Sequence, residues 1–477
     1  MNYVNRYRVP EVSRLSEIIE RFPESIFRAY DIRGETDKFL SVDVVYLLGR
    51  AIGTSIMQSG SKSLAVGRDC RTSSFPLSQA LIKGVTSCGV DVIDVGEVPT
   101  PLLYYATVFF KNGNGAMITG SHNPIEFNGI KIMIKGEALA GNQIQDLLAM
   151  IKKSAFVNGA GKYFSKSIRK EYVSQLRKRL FNHESSLKVV VDSGNGMASE
   201  ITPQILRSLG HNVSELYCEI DGSFPNHHPD PSDPNNLVSL SNVVKETSSD
   251  IGLAFDGDGD RLGVVNSHGE IIWPDKQMEI FSAEVLKHNK NATVIYDVKC
   301  SNGLKHVIQE NGGTPIMTRT GHSFVKQKMV ESKALLGGEM SGHIFFKDRW
   351  FGFDDAIYAA CRLLEILSQR NFDHVKILSD LVAKHATPEL KVNVDEGYGE
   401  GLIKEIKHKI KQLPGEVCLI DGVRVDTKDG WGLVRSSNTT SCLIFRFEGN
   451  DEKALVSIKN AFREFIHSLD SSLQLPF

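Results

Sequence analysis

Paired cysteines are the first thing this sequence lacks. Its seven cysteines, at positions 70, 88, 218, 300, 361, 418 and 442, are scattered without Cys-x-x-Cys spacing. Neither a disulfide framework nor a cysteine zinc site is indicated, and a reducing, cytoplasmic setting is expected. Long apolar runs are missing too, none reaching the ~18 residues of a membrane span. Met1 to Arg28 carries Glu11, Glu17, Glu20 and several arginines, so no signal peptide is expected. Low-complexity segments are absent. No charge dominates: 55 Lys and Arg against 57 Asp and Glu give a net charge of −2, which removes any bulk call for nucleic acid and makes anion binding a local matter. What is present is 477 residues, 41% hydrophobic and 23% charged, an ordinary globular composition with room for about three or four domains.

The chain repeats itself. Leu64-Ala-Val-Gly-Arg-Asp69, Lys188-Val-Val-Val-Asp192 and Thr293-Val-Ile-Tyr-Asp297 each read as an apolar strand ending in an acid and a polar turn. A helix-like segment follows each and closes on Gly89, Gly210 or Gly313, lying 20, 18 and 16 residues beyond the aspartates. Second strands then run over Val90 to Val95, Asn212 to Leu216 and Pro315 to Thr318. A third apolar segment in each repeat enters an unusual loop: Ala116-Met-Ile into the Ser121 loop, Ile251-Gly-Leu-Ala-Phe into the Asp256 loop, and Ala334-Leu-Leu-Gly-Gly into Glu339-Met-Ser-Gly-His343. In α/β sheets ligands sit beyond the carboxyl ends of strands, so three equivalent ends carry three chemical tools.

The first tool is Thr119-Gly-Ser-His-Asn-Pro124, which puts a serine hydroxyl on a tight turn beside His122, with Lys131 ten residues on. Alone, it reads more readily as a Gly-Ser turn with a solvated histidine. The second is Asp256-Gly-Asp-Gly-Asp-Arg261. Three carboxylates separated only by glycines require a cation, because unpaired buried charge costs several kcal/mol. Hard oxygen ligands with room for phosphate or water suit Mg²⁺. A calcium EF-hand would need Gly and Glu where Arg261 and Ser267 stand.

From about Pro388 the pattern becomes α+β: strand Leu390 to Val394, helix Gly401 to Leu413, strands Val417 to Ile420, Val423 to Asp426, Trp431 to Arg435 and Thr440 to Phe447, and an amphipathic helix Glu452 to Leu469. Its Arg435-Ser-Ser-Asn-Thr-Thr440 loop is either a phosphate cradle or a hairpin turn with a solvated arginine. Phe27-Arg-Ala-Tyr-Asp-Ile-Arg-Gly34 and Arg319-Thr-Gly-His-Ser323 equally read as anion sites or as plain loops.

Taken together and in order, Phe27 to Gly34, Gly67-Arg-Asp69, Thr119 to Pro124, Pro225-Asn-His-His-Pro-Asp-Pro231, Asp256 to Arg261, Gly338-Glu-Met-Ser-Gly-His343 and Arg435 to Thr439 resemble the α-D-phosphohexomutase family, most closely its phosphomannomutase/phosphoglucomutase branch. The resemblance implies an α/β chain of three related mixed-sheet domains plus a C-terminal α+β domain around a central cleft. The boundaries expected are 1–168 with the phosphoserine loop, 169–271 with the metal loop, 272–385 with the sugar loop and 386–477 with the phosphate loop. It implies interconversion of hexose 1-phosphate and hexose 6-phosphate (mannose and/or glucose) through a phosphoserine at Ser121 and a hexose 1,6-bisphosphate that is both intermediate and activator. One Mg²⁺ would be held by Ser121, Asp256, Asp258 and Asp260. Ser121, His122, Lys131, Arg33, Arg261 and His322 are the implied catalytic groups. Tyr30, Lys299, Glu339, Ser341, His343, Arg435, Ser437, Asn438 and Thr439 are the implied substrate contacts. The implied partners are small-molecule sugar phosphates, with no nucleic acid or membrane, for a monomer, with a dimer as the alternative.

Direct transfer between C1 and C6 of one hexose is geometrically impossible, so such an enzyme lends its own phosphoryl and takes back the other. A loose, in-line transition state leaves positioning and charge neutralisation as the catalytic work. If Glu339 and Ser341 grip the 3- and 4-hydroxyls, the C2 epimers glucose and mannose are both accepted. The alternatives are a phosphoglucosamine mutase, whose relatives typically carry Gln where this loop reads Glu-Met-Ser, and a phosphoserine-forming metal-dependent phosphatase. Two departures stand out: Ser441 replaces a proline common in relatives, and roughly twenty extra residues precede Phe27.

Overall fold

The computed structural model describes residues 11–181, 185–369, 373–383, 385–410, 413–437 and 440–477. The chain divides into two compact units, Met1–Pro274 with Ser341–Asp380, and Asp275–Met340 with Leu381–Phe477.

The first unit holds two sheets built alike. In one, Ser63–Arg68 is central. Asp91–Glu97 runs parallel on one side after helix Ser74–Thr86, and Gly115–Ile118 runs parallel on the other after helix Thr100–Phe109. Phe127–Ile134 and Ile32–Glu35 extend it antiparallel. In the other, Lys188–Asp192 is central between parallel neighbours Asn212–Leu216 and Ile251–Phe255. Val189, Val190 and Val191 are all buried, because helices cover the sheet and leave a β-branched run no solvent face. Leu240 and Val244 of helix Val238–Glu246 pack on Val190 and Ala254. The second unit repeats the plan: Thr293–Asp297 lies between Thr314–Thr318 and Leu336–Gly338, both parallel. Each third strand ends where the sequence places a chemical loop.

The C-terminal sheet is antiparallel throughout, in the order Leu390–Asn393, Cys442–Gly449, Gly430–Ser436, Val423–Thr427, Glu416–Cys418. Helix Glu452–Leu469 covers it with Leu455, Ile458, Phe462, Phe465 and Ile466, one stripe at helical spacing. The Asp451 carboxylate caps its start, accepting from Ala454 N at 2.8 Å. Arg424 ties the sheet to the preceding α/β domain, donating to Val298 O at 2.7 Å, Cys300 O at 2.8 Å and Asn302 Oδ1 at 2.8 Å while stacking on Trp431. Three α/β domains and an antiparallel C-terminal domain are the architecture expected.

Local differences have physical reasons. The turn closing helix Asn302–Glu310 uses Gly312, at φ +79°, and not Gly313. Gly313 is needed for packing, since a Cβ there would lie 2.7 Å from both δ carbons of Leu286. The C-terminal domain's first helix is Tyr398–Lys409, beginning three residues before the expected Gly401. Glycines disfavour a helix start, but Leu402, Ile403 and Ile406 bury against the sheet and carry the segment. The extra residues before Phe27 include helix Val12–Glu20, whose Leu15, Ile18 and Ile19 lie on the core of the first domain. Among the described residues no helix is long and apolar enough to cross a membrane.

Candidate functional site

Strand Gly115–Ile118 is wholly buried and pairs with Phe127–Ile134 so that Met117 stands opposite Lys131. The chain then turns sharply. Ser121 takes φ +50°, a left-handed conformation that costs an L-residue ~1–2 kcal/mol and needs outside support. Ser121 N donates to Thr119 Oγ1 at 2.8 Å, and Gly120 N to Asp69 Oδ2 at 3.0 Å. The outcome is a buried hydroxyl with Oγ 2.7 Å from Asp256 Oδ2 and 3.1 Å from His122 Nδ1.

Asp256, Asp258 and Asp260 cap the hairpin between Ile251–Phe255 and Leu262–Asn266, and all three are 0% exposed. Asp256 Oδ1 accepts from the backbone of Asp260 and Arg261 at 3.0 and 3.1 Å, which folds the loop back on itself. Thr100 Oγ1 donates to Asp258 Oδ2 at 2.5 Å. Lys131 Nζ donates to Asp258 Oδ2 at 2.7 Å and also to Asp260 Oδ2. Burial pushes the Asp256 carboxyl well above the ordinary range, and the charges of Asp258 and Asp260 add to the effect. Burial acts the same way on Asp258, but Lys131 outweighs it and leaves that group below its ordinary value. Lys131 in turn is held charged by the two carboxylates against the cost of burial.

The donor set fits a hard divalent cation. Three carboxylates bring oxygens within 4.8 Å of one another, and Asp258 Oδ1 is buried with no hydrogen-bond partner. A buried carboxylate oxygen in that state is costly, and a cation ligated there satisfies it.

Arg261 leaves the loop toward His343, with Nε donating to His343 Nε2 at 3.1 Å. That bond assigns the ring proton to Nδ1, which lies 3.1 Å from Asp354 Oδ2 and 3.5 Å from Asp260 Oδ1. Burial works against the charge of Arg261, but Asp230, Asp256 and Asp260 raise its pKa above the ordinary value. Burial, followed by Arg261, Arg33, His343 and Lys131, pushes His122 well below its ordinary value, so the imidazole beside Ser121 is neutral at pH 7. Arg33 is paired with Asp31 at 2.8 Å and donates to Asn123 Oδ1 at 2.6 Å, fixing the residue after His122. Tyr30 is among the groups acting on Arg261, and Ser341 is half-buried in this same unit. Sequence reasoning missed Thr100, Arg71 and Asp354. Thr100 reads as a helix start, and Asp354-Asp355 as helix-capping acids.

In the second unit, Lys299 is bonded to Glu389 and lies 3.7 Å from Asp297 Oδ2. Burial opposes both charges of the pair, yet Lys299 is held above its ordinary value and Glu389 is pulled down to about 2. Arg435 is buried and donates through Nε to Asp421 Oδ2 at 3.0 Å; the same oxygen accepts from Thr320 N at 3.0 Å. Glu339 Oε1 accepts from Gly321 N at 2.6 Å, and His322, next in the chain, has Nδ1 3.4 Å from Ser323 Oγ. Ser437 N donates to Cys442 O at 2.9 Å across the hairpin. Asn438 and Thr439 lie outside the described residues.

Repeated α/β/α domains that bring a buried serine hydroxyl onto a buried carboxylate triplet define a multidomain enzyme class with a serine-and-carboxylate centre. The sequence matches the family models for Phosphoglucomutase/phosphomannomutase, alpha/beta/alpha domain I over residues 24–158, domain II over 170–269, domain III over 273–387, and the C-terminal domain over 389–465. It is 48% identical over 455 residues to a phosphomannomutase/phosphoglucomutase of Pseudomonas aeruginosa, covering 95% of this chain and 98% of that protein. It is 46% identical over 447 residues to a phosphoglucomutase of Neisseria meningitidis, covering 93% and 97%. A solved structure of a phosphoglucomutase/phosphomannomutase family protein from Burkholderia thailandensis superposes with a TM-score of 0.88 at 43% identity, covering 95% of this chain and 99% of that one. The chain belongs to the α-D-phosphohexomutase family.

Proposed function

We propose that this chain interconverts hexose 1-phosphates and hexose 6-phosphates of mannose and glucose through a phosphorylated Ser121 and a hexose 1,6-bisphosphate. The observation that carries the reading is the 2.7 Å approach of Ser121 Oγ to Asp256 within a buried acidic cluster. Asp256, Asp258 and Asp260, with an oxygen on Ser121, would hold Mg²⁺. Bound there, the ion neutralises charge on the phosphoryl group in transit.

In the first transfer the Oγ–P bond of Ser121 breaks, a sugar oxygen forms the new P–O bond, and the proton of the sugar hydroxyl ends on the freed Ser121 Oγ. His122 is neutral and beside Ser121, so it can carry a proton to and from Oγ. Lys131 and Arg261 supply positive charge on either side of the acidic loop, and Arg33 fixes Asn123 on the serine loop. His343, with Nδ1 3.1 Å from Asp354 Oδ2, presents Nε2 to Arg261 and stands with Tyr30 and Ser341 as a sugar contact. His322 is a further catalytic group, Lys299 a contact for the sugar phosphate, and Glu339 accepts hydrogen bonds from sugar hydroxyls. Arg435 and Ser437, with Asn438 and Thr439, are the clamp for the phosphate that is not reacting. The working divisions of the chain are 1–168, 169–271, 272–385 and 386–477, and the enzyme acts as a cytoplasmic monomer.

The test is to supply glucose 1-phosphate or mannose 1-phosphate with Mg²⁺ and trace bisphosphate. Formation of the 6-phosphates without inorganic phosphate release is expected. Phosphate release alone would make the protein a phosphatase, and turnover confined to glucosamine phosphate would make it the amino-sugar mutase.

A further inference from the structure

Arg71 belongs to none of the loops that touch sugar or metal in the reading above, yet its guanidinium is the hub of the serine loop. Nη2 donates to Ser121 O at 2.8 Å and Asn123 O at 2.6 Å, and Nη1 to Pro124 O at 2.7 Å and Phe127 O at 3.1 Å. Nε faces Asp69 Oδ2 at 3.4 Å, and the ring of Phe224 lies 5.0 Å from the guanidinium carbon. Four carbonyl oxygens from one loop therefore converge on a single buried side chain, 2% exposed. Such oxygens repel one another unless a cation with divergent donors lies among them. A lysine ammonium is a point charge with three donors and does not span four carbonyls in a plane.

The loop is shaped around this group. A Cβ on Gly120 would lie 2.4 Å from Arg71 Nε and 2.5 Å from its central carbon, so only glycine admits the guanidinium. On the other side, a Cβ on Gly257 of the acidic loop would lie 2.5 Å from Ser121 O. The carbonyl of the nucleophile is thus held between Arg71 and the metal-binding turn. This support keeps Ser121 at φ +50°. Rotation of the peptide toward the right-handed region would satisfy the serine backbone at lower local cost and carry Oγ away from Asp256.

We propose that Arg71 is the positioning residue for Ser121: it does not touch substrate, and it fixes the left-handed turn that aims the phosphate-carrying oxygen at the acidic loop. The inference rests on Ser121 being the phosphoryl carrier. Arg71→Ala should lower kcat by about a hundredfold, the cost of an ångström-scale misplacement, with KM for the sugar phosphate unchanged. Guanidinium or methylguanidinium at low millimolar concentration should restore part of that kcat, whereas ammonium should not. Arg71→Lys should be as impaired as Arg71→Ala. Gly120→Ala, which attacks the same contact from the loop side, should reproduce the kcat defect in a folded protein, and phosphopeptide mass spectrometry should find Ser121 phosphorylated to a lower extent in each variant. Full activity in Arg71→Lys, or a folded Gly120→Ala enzyme with normal kcat and normal Ser121 phosphorylation, would overturn the proposal. Ser121→Ala run alongside separates the two claims: an active Ser121→Ala enzyme removes the phosphoserine reading itself, while an inactive one beside an active Arg71→Lys removes only the role of Arg71.

Discussion

Ser121 and Arg435 have opposite expected signatures although both are buried polar side chains. Ser121 offers the oxygen that carries the phosphoryl group in the proposed cycle, so Ser121→Ala should remove the reaction and not the binding site. Its kcat should fall by at least ~10⁴-fold while sugar phosphate still protects the protein in a thermal shift. In the clamp role proposed for it, Arg435 offers charge-assisted hydrogen bonds to a phosphate present in ground state and transition state alike. Arg435→Ala should therefore raise KM for both the 1- and the 6-phosphate by about tenfold or more, the worth of one or two such bonds; a fall in kcat alone at constant KM would refute the clamp. At this scale the sequence was readable where chemistry is local. Three aspartates spaced by glycines mark a candidate cation site within six consecutive residues, and the three are buried together. Lys131 was legible as a cation ten residues beyond Ser121 but not as the partner of the aspartates, because Asp258 and Asp260 are 127 and 129 positions away. Arg71 and Asp354 were not legible, since their meaning lies in carbonyls and an imidazole that only the fold brings within reach.

Among the elements, the loop between strand Asn212–Leu216 and helix Val238–Glu246 carries its own titrating contact. His227 Nε2 lies 3.1 and 3.0 Å from the two oxygens of Asp192, at the end of the central strand Lys188–Asp192, while its Nδ1 meets His228 O at 2.9 Å. Burial lowers the histidine's pKa, but the bond and charge of Asp192 outweigh it and the net shift is upward. A folded-state pKa above the unfolded value means that this pair contributes fully below about pH 6.5 and is lost as pH rises through the raised folded value. The difference in unfolding free energy between wild type and His227→Gln should be largest in mild acid and shrink on the alkaline side. A difference that grew with pH would show that the ring is bound neutral. Strand positions such as Lys188–Asp192 and Thr293–Asp297 were legible to the residue, because a buried parallel strand is a continuous β-branched run. The start of helix Tyr398–Lys409 was not, because its glycines argue locally for a loop and only the packing of Leu402, Ile403 and Ile406 overrides them.

For the whole molecule, the decisive balance is between one buried lysine and three buried aspartates. Lys131 is the cation bonded to Asp258 and Asp260, and removing one partner from such a buried pair costs ~3–5 kcal/mol because the remaining charges are left uncompensated. Lys131→Met should therefore lower the unfolding temperature markedly in EDTA. An ion that binds the folded acidic loop and not the unfolded chain, the part proposed above for Mg²⁺, stabilises by about 2.7 kcal/mol at a hundred times its dissociation constant. Wild type should show a rise in unfolding temperature with Mg²⁺, and Lys131→Met a larger one, because the ion there meets carboxylates with no competing ammonium. Asp258→Asn should lose the response, since it removes the charge of the carboxylate whose Oδ1 is buried without a partner. Equal Mg²⁺ shifts in all three proteins would mean that the ion binds elsewhere, and that the buried triplet is a lysine-paired structural cluster with no part in holding metal.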